Sequence, residues 1–208
     1  ALLLPKEYEQ TICYLPDVDR RTKEGKAIAS AFEAGAIGKT ILKFDSQEVV
    51  ERCVQSVRLN EKWDDCLLPS CRVEQVLCNR LFGVDCKARL DLMDVDRGII
   101  RDIKSCDDSS PEKFKYTVKD RMYWVQAGFY CLLAEEIFQR SFSFEFIAVE
   151  TSDPSVSVFY SVDGLELSRW KNIVEGQLHK YKECVDTNTW NPPKNQELDS
   201  IDLRRYEA

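Results

Sequence analysis

The sequence predicts an α/β domain, a β-sheet flanked by helices, and three patterns carry that prediction. Residues 84 to 104 read as a hairpin, because two runs rich in apolar residues enclose a short polar segment that ends in Gly98. Residues 142 to 150 alternate, with Phe142, Phe144, Phe146 and Ala148 on one side, which is the period of a strand. Between and around these runs, apolar residues recur at the three-to-four spacing of amphipathic helices.

A chain of 208 residues with 44% hydrophobic and 31% charged content has the size and balance of one globular domain, read here as spanning residues 1–208. No apolar run approaches the roughly 18 residues that span a bilayer. Ala1 to Pro5 lacks the basic region and length of a signal peptide, so a cytoplasmic protein is expected. The chain starts at Ala1 without methionine and inside an element, which reads as a trimmed start. Its nine cysteines are odd in number and include no Cys-x-x-Cys pair, so they read as reduced, mostly structural thiols. The spacings of Cys66, Cys71, Cys78 and Cys86 match none of the usual zinc or iron–sulfur ligand pairs. A net charge of −7 argues against a general nucleic-acid coat but leaves room for a DNA enzyme whose carboxylates hold metal.

Taken in order, residues 5 to 21 read as irregular, with Pro5 and Pro16 as breakers. Thr22 to Ala34 reads as a helix ended by Gly35, and Lys39 to Phe44 as a short extended segment. Asp45 with Glu48 resembles a capping box at the head of a helix with the stripe Val49, Val50, Cys53, Val54 and Val57. Arg72 to Cys78 reads as a strand, and Asn79 to Gly83 as the turn into the hairpin. Ser109 or Ser110 followed by Pro111 starts a helix. A second helix runs from about Asp120 to Phe138, strands from Phe142 to Glu150 and Val156 to Tyr160, and a long helix from about Asp163 to Asp186. That last helix carries Trp170, Ile173, Val174, Tyr181 and Cys184 as its stripe. The tail from Trp190 to Ala208, with Pro192-Pro193, reads as extended.

If Asp96-Arg97 is the hairpin loop, Asp91 faces Asp102 and Arg89 faces Lys104. Alternation then puts Asp91, Asp102 and Lys104 on one face, and Leu90, Leu92, Ile99, Arg101 and Ile103 on a mostly apolar second face. Opposed side chains have Cβ atoms roughly 4.5–5.5 Å apart, where like charges destabilise. Two facing aspartates therefore need a cation, and a hard divalent ion is the natural one; a solvated polar face is the alternative. Glu74, on the neighbouring strand of a three-stranded meander, falls across from Asp91 if the turn centres near Phe82.

Lys113, Lys115, Lys119 and Arg121 form the densest basic stretch near this site, either a phosphate track or a solvated helical face. Gln126 and Tyr130 stand four apart and share a helix side. His179, the single histidine, lies far from the aspartates in sequence and reads as a surface or packing residue. With one histidine, Ser-His and Cys-His arrangements have no plausible base.

Asp91 followed by Asp102-Ile103-Lys104 is similar to the motif of the PD-(D/E)xK nuclease superfamily, and the order of elements fits its central mixed sheet flanked by helices. A wider match resembles the RecE-like group, the exodeoxyribonuclease VIII type of recombination nuclease. It runs through Val18-Asp19-Arg20-Arg21-Thr22-Lys23-Glu24-Gly25-Lys26, Cys86-Lys87-Ala88-Arg89-Leu90-Asp91, Asp102-Ile103-Lys104-Ser105, Glu112-Lys113-Phe114, Tyr123 to Tyr130, and Cys184 to Trp190. The resemblance implies Asp91, Asp102 and the Ile103 carbonyl as metal ligands, with Glu74 completing the shell. It implies Lys104 as the residue that orients or activates the attacking water, and Gln126 and Tyr130 as a supporting pair. It implies Mg²⁺, with Mn²⁺ as a substitute, and 5′ to 3′ hydrolysis of duplex DNA ends. It also implies a ring-like homo-oligomer working with a single-strand annealing protein, and no membrane. The group has His where Trp124 stands, and a further histidine at a position that would fall just before Ala1. Another RecB-like nuclease, or a catalytically silent DNA-end-binding module of the same fold, is the alternative.

Overall fold

In the computed structural model, which describes residues 1–190, the chain runs α1 (Pro5–Thr11), β1 (Ile12–Tyr14), α2 (Lys23–Gly35), β2 (Thr40–Leu42) and α3 (Asp45–Arg58). A 3-10 helix (Glu61–Leu67) leads to β3 (Cys71–Leu81), β4 (Val84–Asp94) and β5 (Ile99–Cys106). Then come α4 (Pro111–Asp120), α5 (Tyr123–Phe138), β6 (Ser143–Glu150), β7 (Ser157–Ser161) and α6 (Gly164–Thr187).

Residues 5 to 14, expected to be irregular, instead form α1 and β1. Pro5 sits in the first turn of α1, where its missing N–H costs nothing. β1 finds its partner in β2, in a separate parallel pair. The segment Asp19 to Thr22 forms the cap of α2. Thr22 Oγ1 accepts from the Gly25 amide at 2.9 Å, and a Cβ on Gly25 would stand 2.1 Å from the Asp19 carbonyl oxygen, so only glycine fits.

β3 to β7 lie in sequence order in one mixed sheet; β5 and β6 are parallel and the other pairs antiparallel. α4 and α5 provide the crossover between the two parallel strands, as parallel pairing requires. β3 runs past the expected turn to Leu81, so the β3–β4 turn is the pair Phe82-Gly83. Both have positive φ (47° and 80°), as a tight primed turn demands. The β4–β5 turn covers residues 95–98 rather than Asp96-Arg97 alone, with Gly98 at φ 69° and its amide on the Asp94 carbonyl.

Both faces of the sheet are covered. On one face Leu77, Ala88, Leu90, Met93, Ile100, Phe144, Phe146 and Ala148 pack with α5 and α6 residues such as Ala127, Cys131, Leu133 and Leu167. On the other, Leu92, Ile147, Val149 and Phe159 meet Val57 of α3 and Trp63. The expected division into one apolar and one polar face does not hold. Leu90 and Leu92 belong to different clusters, while Leu90 and Met93, three residues apart, share one, so strict alternation breaks near Asp91. The inner side of α6 is Leu167, Trp170, Val174 and Leu178, whereas Ile173 and Tyr181 of the expected stripe stay 40% and 49% exposed. α5 starts at Tyr123, three residues after the expected Asp120: α4 runs to Asp120 with Arg121 as its C-cap, and Met122, in a left-handed conformation, redirects the chain into α5. No helix among the described residues is long and apolar enough to cross a membrane. Most of the tail expected to be extended lies outside the described residues.

Candidate active site

The β4–β5 ladder pairs Leu92 with Arg101, Met93 with Ile100 and Asp94 with Ile99, and that register carried one rung further sets Asp91 against Asp102. The rung is not formed. Asp91 Oδ2 instead accepts the backbone amide of Ile103 at 2.8 Å, so a side chain occupies the place of a strand partner and the two strands part there. Glu74, the residue across from Asp91 in the β3–β4 register, is also skipped by the ladder and has φ 50°. In an antiparallel ladder a residue turns its N–H and C=O toward the same partner. The Ile103 carbonyl therefore faces the gap that Asp91 occupies.

Asp102 and Lys104 project from β5 under the first turns of α5. Asp102 is 2% exposed. Its Oδ1 accepts from Gln126 Nε2 at 3.0 Å, and its Oδ2 lies 2.5 Å from Lys104 Nζ without a well-directed hydrogen bond. Lys104 Nζ also donates to Gln126 Oε1 at 2.6 Å, and Gln126 Nε2 lies 2.9 Å from the Tyr130 hydroxyl. The structure thus joins Asp91, Asp102, Ile103, Lys104, Gln126 and Tyr130 around one point where the sheet splits. The i,i+4 spacing of Gln126 and Tyr130 is what lets one amide group meet both the hydroxyl and the carboxylate.

Glu74 is not drawn into this group. Its Oε2 lies 2.9 Å from Arg89 Nε. Among the described residues no three His, Cys, Asp or Glu side chains gather closely enough to hold a metal by themselves. His179 stands apart, its ring 4.8 Å from that of Phe82.

Burial, and next the negative charge of Asp91, push the Asp102 carboxyl up to about 6, while Lys104 pulls in the opposite sense. A buried carboxylate oxygen without a directed donor, a second aspartate beside it and the Ile103 carbonyl facing the same gap make an all-oxygen donor set. That set suits a hard divalent cation, and Lys104 is the cation now closest to it.

Tyr123 was missed by sequence reading. Lys104 Nζ lies 4.3 Å from its ring centroid, which makes the ring a third neighbour of the ammonium. Its i,i+3 spacing from Gln126 was the available signal. A cleft of about 510 Å³ opens beyond Lys104, lined by Ser105, Tyr116, Thr117 and Tyr123 together with Lys113 and Arg121. Lys115 and Lys119, grouped with them in the sequence, line a different groove with Trp124 and Trp170, so the four cations do not form one bank.

No curated protein matches the chain. Among solved structures, a presumptive exonuclease from Eubacterium rectale superposes with a TM-score of 0.55 at 16% identity, covering 77% of this chain and 60% of that one. The chain thus spans less than two thirds of that relative. The protein SSO0001 superposes more loosely, with a TM-score of 0.37 at 15% identity over 94% of this chain and 89% of the other. The family described as the PDDEXK-like domain of unknown function (DUF3799) matches residues 21–202, nearly the whole chain, and this protein belongs to it.

Proposed function

We propose that this protein is a divalent-metal-dependent DNA exonuclease that hydrolyses phosphodiester bonds from duplex ends. The observation that carries the reading is the bonded set Asp102–Gln126–Lys104 beside an Asp91 that has displaced a strand rung. A structural ion pair would need none of this; a site that must present two carboxylates and an ammonium to one point needs all of it.

Asp91, Asp102 and the Ile103 carbonyl would hold the ion, with Glu74 joining if it leaves Arg89; Mg²⁺ is the expected metal and Mn²⁺ a substitute. When bound, such an ion supplies Lewis-acid polarisation of the scissile phosphate. Gln126 fixes the orientation of Asp102 through Nε2 and of Lys104 through Oε1 with a single amide, so the two charges keep a constant relation. Lys104, a compact cation held by Gln126 and the Tyr123 ring, would offset negative charge as it builds on the transferred phosphoryl oxygens. Tyr130 keeps the Gln126 amide from rotating.

The 5′ to 3′ polarity, the place in recombination, a ring-like homo-oligomer and an annealing partner rest on the resemblance to RecE-like enzymes. A silent DNA-end-binding module is the second reading, and the Glu74–Arg89 pair favours it, because it leaves two carboxylates rather than three at the split.

Digestion of end-labelled linear duplex with and without Mg²⁺, alongside an Asp102→Ala variant and a covalently closed circle, tests the reading. Mg²⁺-dependent loss of the linear DNA alone, abolished in Asp102→Ala, is expected. Binding of ends without turnover under any metal would leave the silent module.

A further inference from the structure

We infer that the outward face of the β3–β4 hairpin is a backbone-binding track for duplex DNA, with Arg89, Lys87 and Arg80 contacting phosphates. The inference rests on the nuclease reading above and extends it to how the substrate is held.

Beyond the point where β5 parts from β4, β3 and β4 continue as a two-stranded arm from Gln75–Leu90 to Leu81–Val84. One face of that arm is covered, with Leu77, Leu81, Cys86, Ala88 and Leu90 buried in the core shared with α5 and α6. Among the described residues nothing covers the other face. Its paired positions, moving outward from Asp91, are Val76 with Arg89, Cys78 with Lys87, and Arg80 with Asp85. Val76 is 44% exposed, and Cys78 and Lys87 are exposed as well. The side chains of Arg89 and Arg80 are 71% and 65% exposed.

Each of these three rungs carries one cation. Alternate residues on a strand lie roughly 7 Å apart, so the cations follow one another at an interval within reach of successive backbone phosphates. Val76 and Cys78 are short, which leaves the long basic side chains as the outermost groups of the face. Lys87 makes no ion pair among the described residues, whereas Arg89 Nε lies 2.9 Å from Glu74 Oε2 and Arg80 Nε lies 3.7 Å from Oδ1 of its rung partner Asp85. In a chain of net charge −7, this exposed strip sets three cations against the carboxylates of Asp85 and Glu74 and keeps a net positive charge, and it starts at the residue next but one to Asp91. Charge complementarity points to the nucleic-acid backbone as occupant. With only three cations, the track fixes position and register and carries no base readout.

Fluorescence anisotropy of a labelled duplex in EDTA, where no cleavage occurs, tests the track over a range of salt. Replacing Arg80 and Lys87 with Gln should weaken binding roughly tenfold and lower the magnitude of the log-affinity against log-salt slope by close to two, at about 0.9 per phosphate contact. Asp85→Asn on the same face should strengthen binding, a change of sign that damage to the fold cannot imitate. Thermal melts of each variant confirm folding. Unchanged affinity and slope in both, with the wild type binding and cleaving normally, would overturn the track and leave the nuclease reading standing. A wild type that neither binds nor cleaves duplex would overturn both.

Discussion

Asp91 Oδ2 lies 2.8 Å from the amide nitrogen of Ile103, and this one side-chain-to-backbone bond replaces the rung that would have closed β4 against β5. The same carboxylate that parts the strands also stands beside Asp102 and raises its pKa. Fold and chemistry therefore meet in one residue. Asp91→Ala should leave the Ile103 amide, part-buried, without an acceptor and cost about 1–3 kcal/mol of stability. Asp91→Asn keeps an acceptor and should cost less, while losing the charge needed to hold a metal. Urea denaturation of the two variants, set beside Mg²⁺-dependent digestion, separates the effects: both lose cleavage, and only the alanine variant loses most of that stability.

Asp102 gives a pH dependence with a definite sign. Its carboxyl is raised from 3.8 to about 6, chiefly by burial and next by Asp91. Between these values the folded state holds a proton that the unfolded state has released. The free energy of unfolding contributed by this group therefore falls as pH rises from about 4 to about 6, by on the order of 3 kcal/mol. Other carboxylates act in the opposite sense, so the measurement is the difference between wild type and Asp102→Asn in EDTA across pH 4 to 7. A flat difference would remove the buried-carboxylate description. Because a metal needs the ionised form, Mg²⁺ should stabilise the wild type increasingly as pH passes about 6.

Gln126 bonds to both Asp102 and Lys104, and the Tyr130 hydroxyl bonds to Gln126. Groups that orient a metal's ligands typically matter by 10–100-fold. Gln126→Ala should lower turnover by about that factor, and Tyr130→Phe by less, since Gln126 keeps its other two bonds. Adding Gln126→Ala to Lys104→Ala should have a smaller effect than on the wild type, because one of its two targets is gone. Full additivity in that double-mutant cycle would show that Gln126 does not act through Lys104.

The parts of this arrangement legible in the sequence are those set by period and local chemistry. Alternation placed Asp102 and Lys104 on one side of β5, glycine at 83 and 98 marked the turns, and helical spacing put Gln126 with Tyr130. What the sequence hid depends on contacts made at a distance. β1 exists because β2 lies beside it, which no window over residues 12–14 can reveal. The parting of β4 from β5 is made by a side chain bonding to a backbone amide, an event without a periodic signature. Glu74 sits at the anticipated position across from Asp91, but Arg89 and a left-handed backbone fix its direction. A sheet covered on both faces also blurs the apolar-polar contrast from which faces were assigned.

Gly128, one turn before Cys131 on the buried side of α5, decides how closely that helix approaches α6. A Cβ there would lie 3.0 Å from the carbonyl carbon of Trp170 and 3.1 Å from its oxygen, both backbone atoms of α6 that cannot rotate away. Glycine within a helix costs up to about 1 kcal/mol relative to alanine, so Gly128→Ala gains that much in propensity. Overpacking against rigid backbone costs typically 1–3 kcal/mol and should outweigh the gain. The expected result is a net loss of about 1 kcal/mol in urea denaturation for Gly128→Ala and a larger loss for Gly128→Val. Since α5 carries Gln126 only two residues away, the same displacement should move the Gln126 amide relative to Asp102 and reduce cleavage more than the stability loss alone explains. A stabilised Gly128→Ala with full activity would show that α6 can shift, and that the close approach of the two helices is not what sets the site.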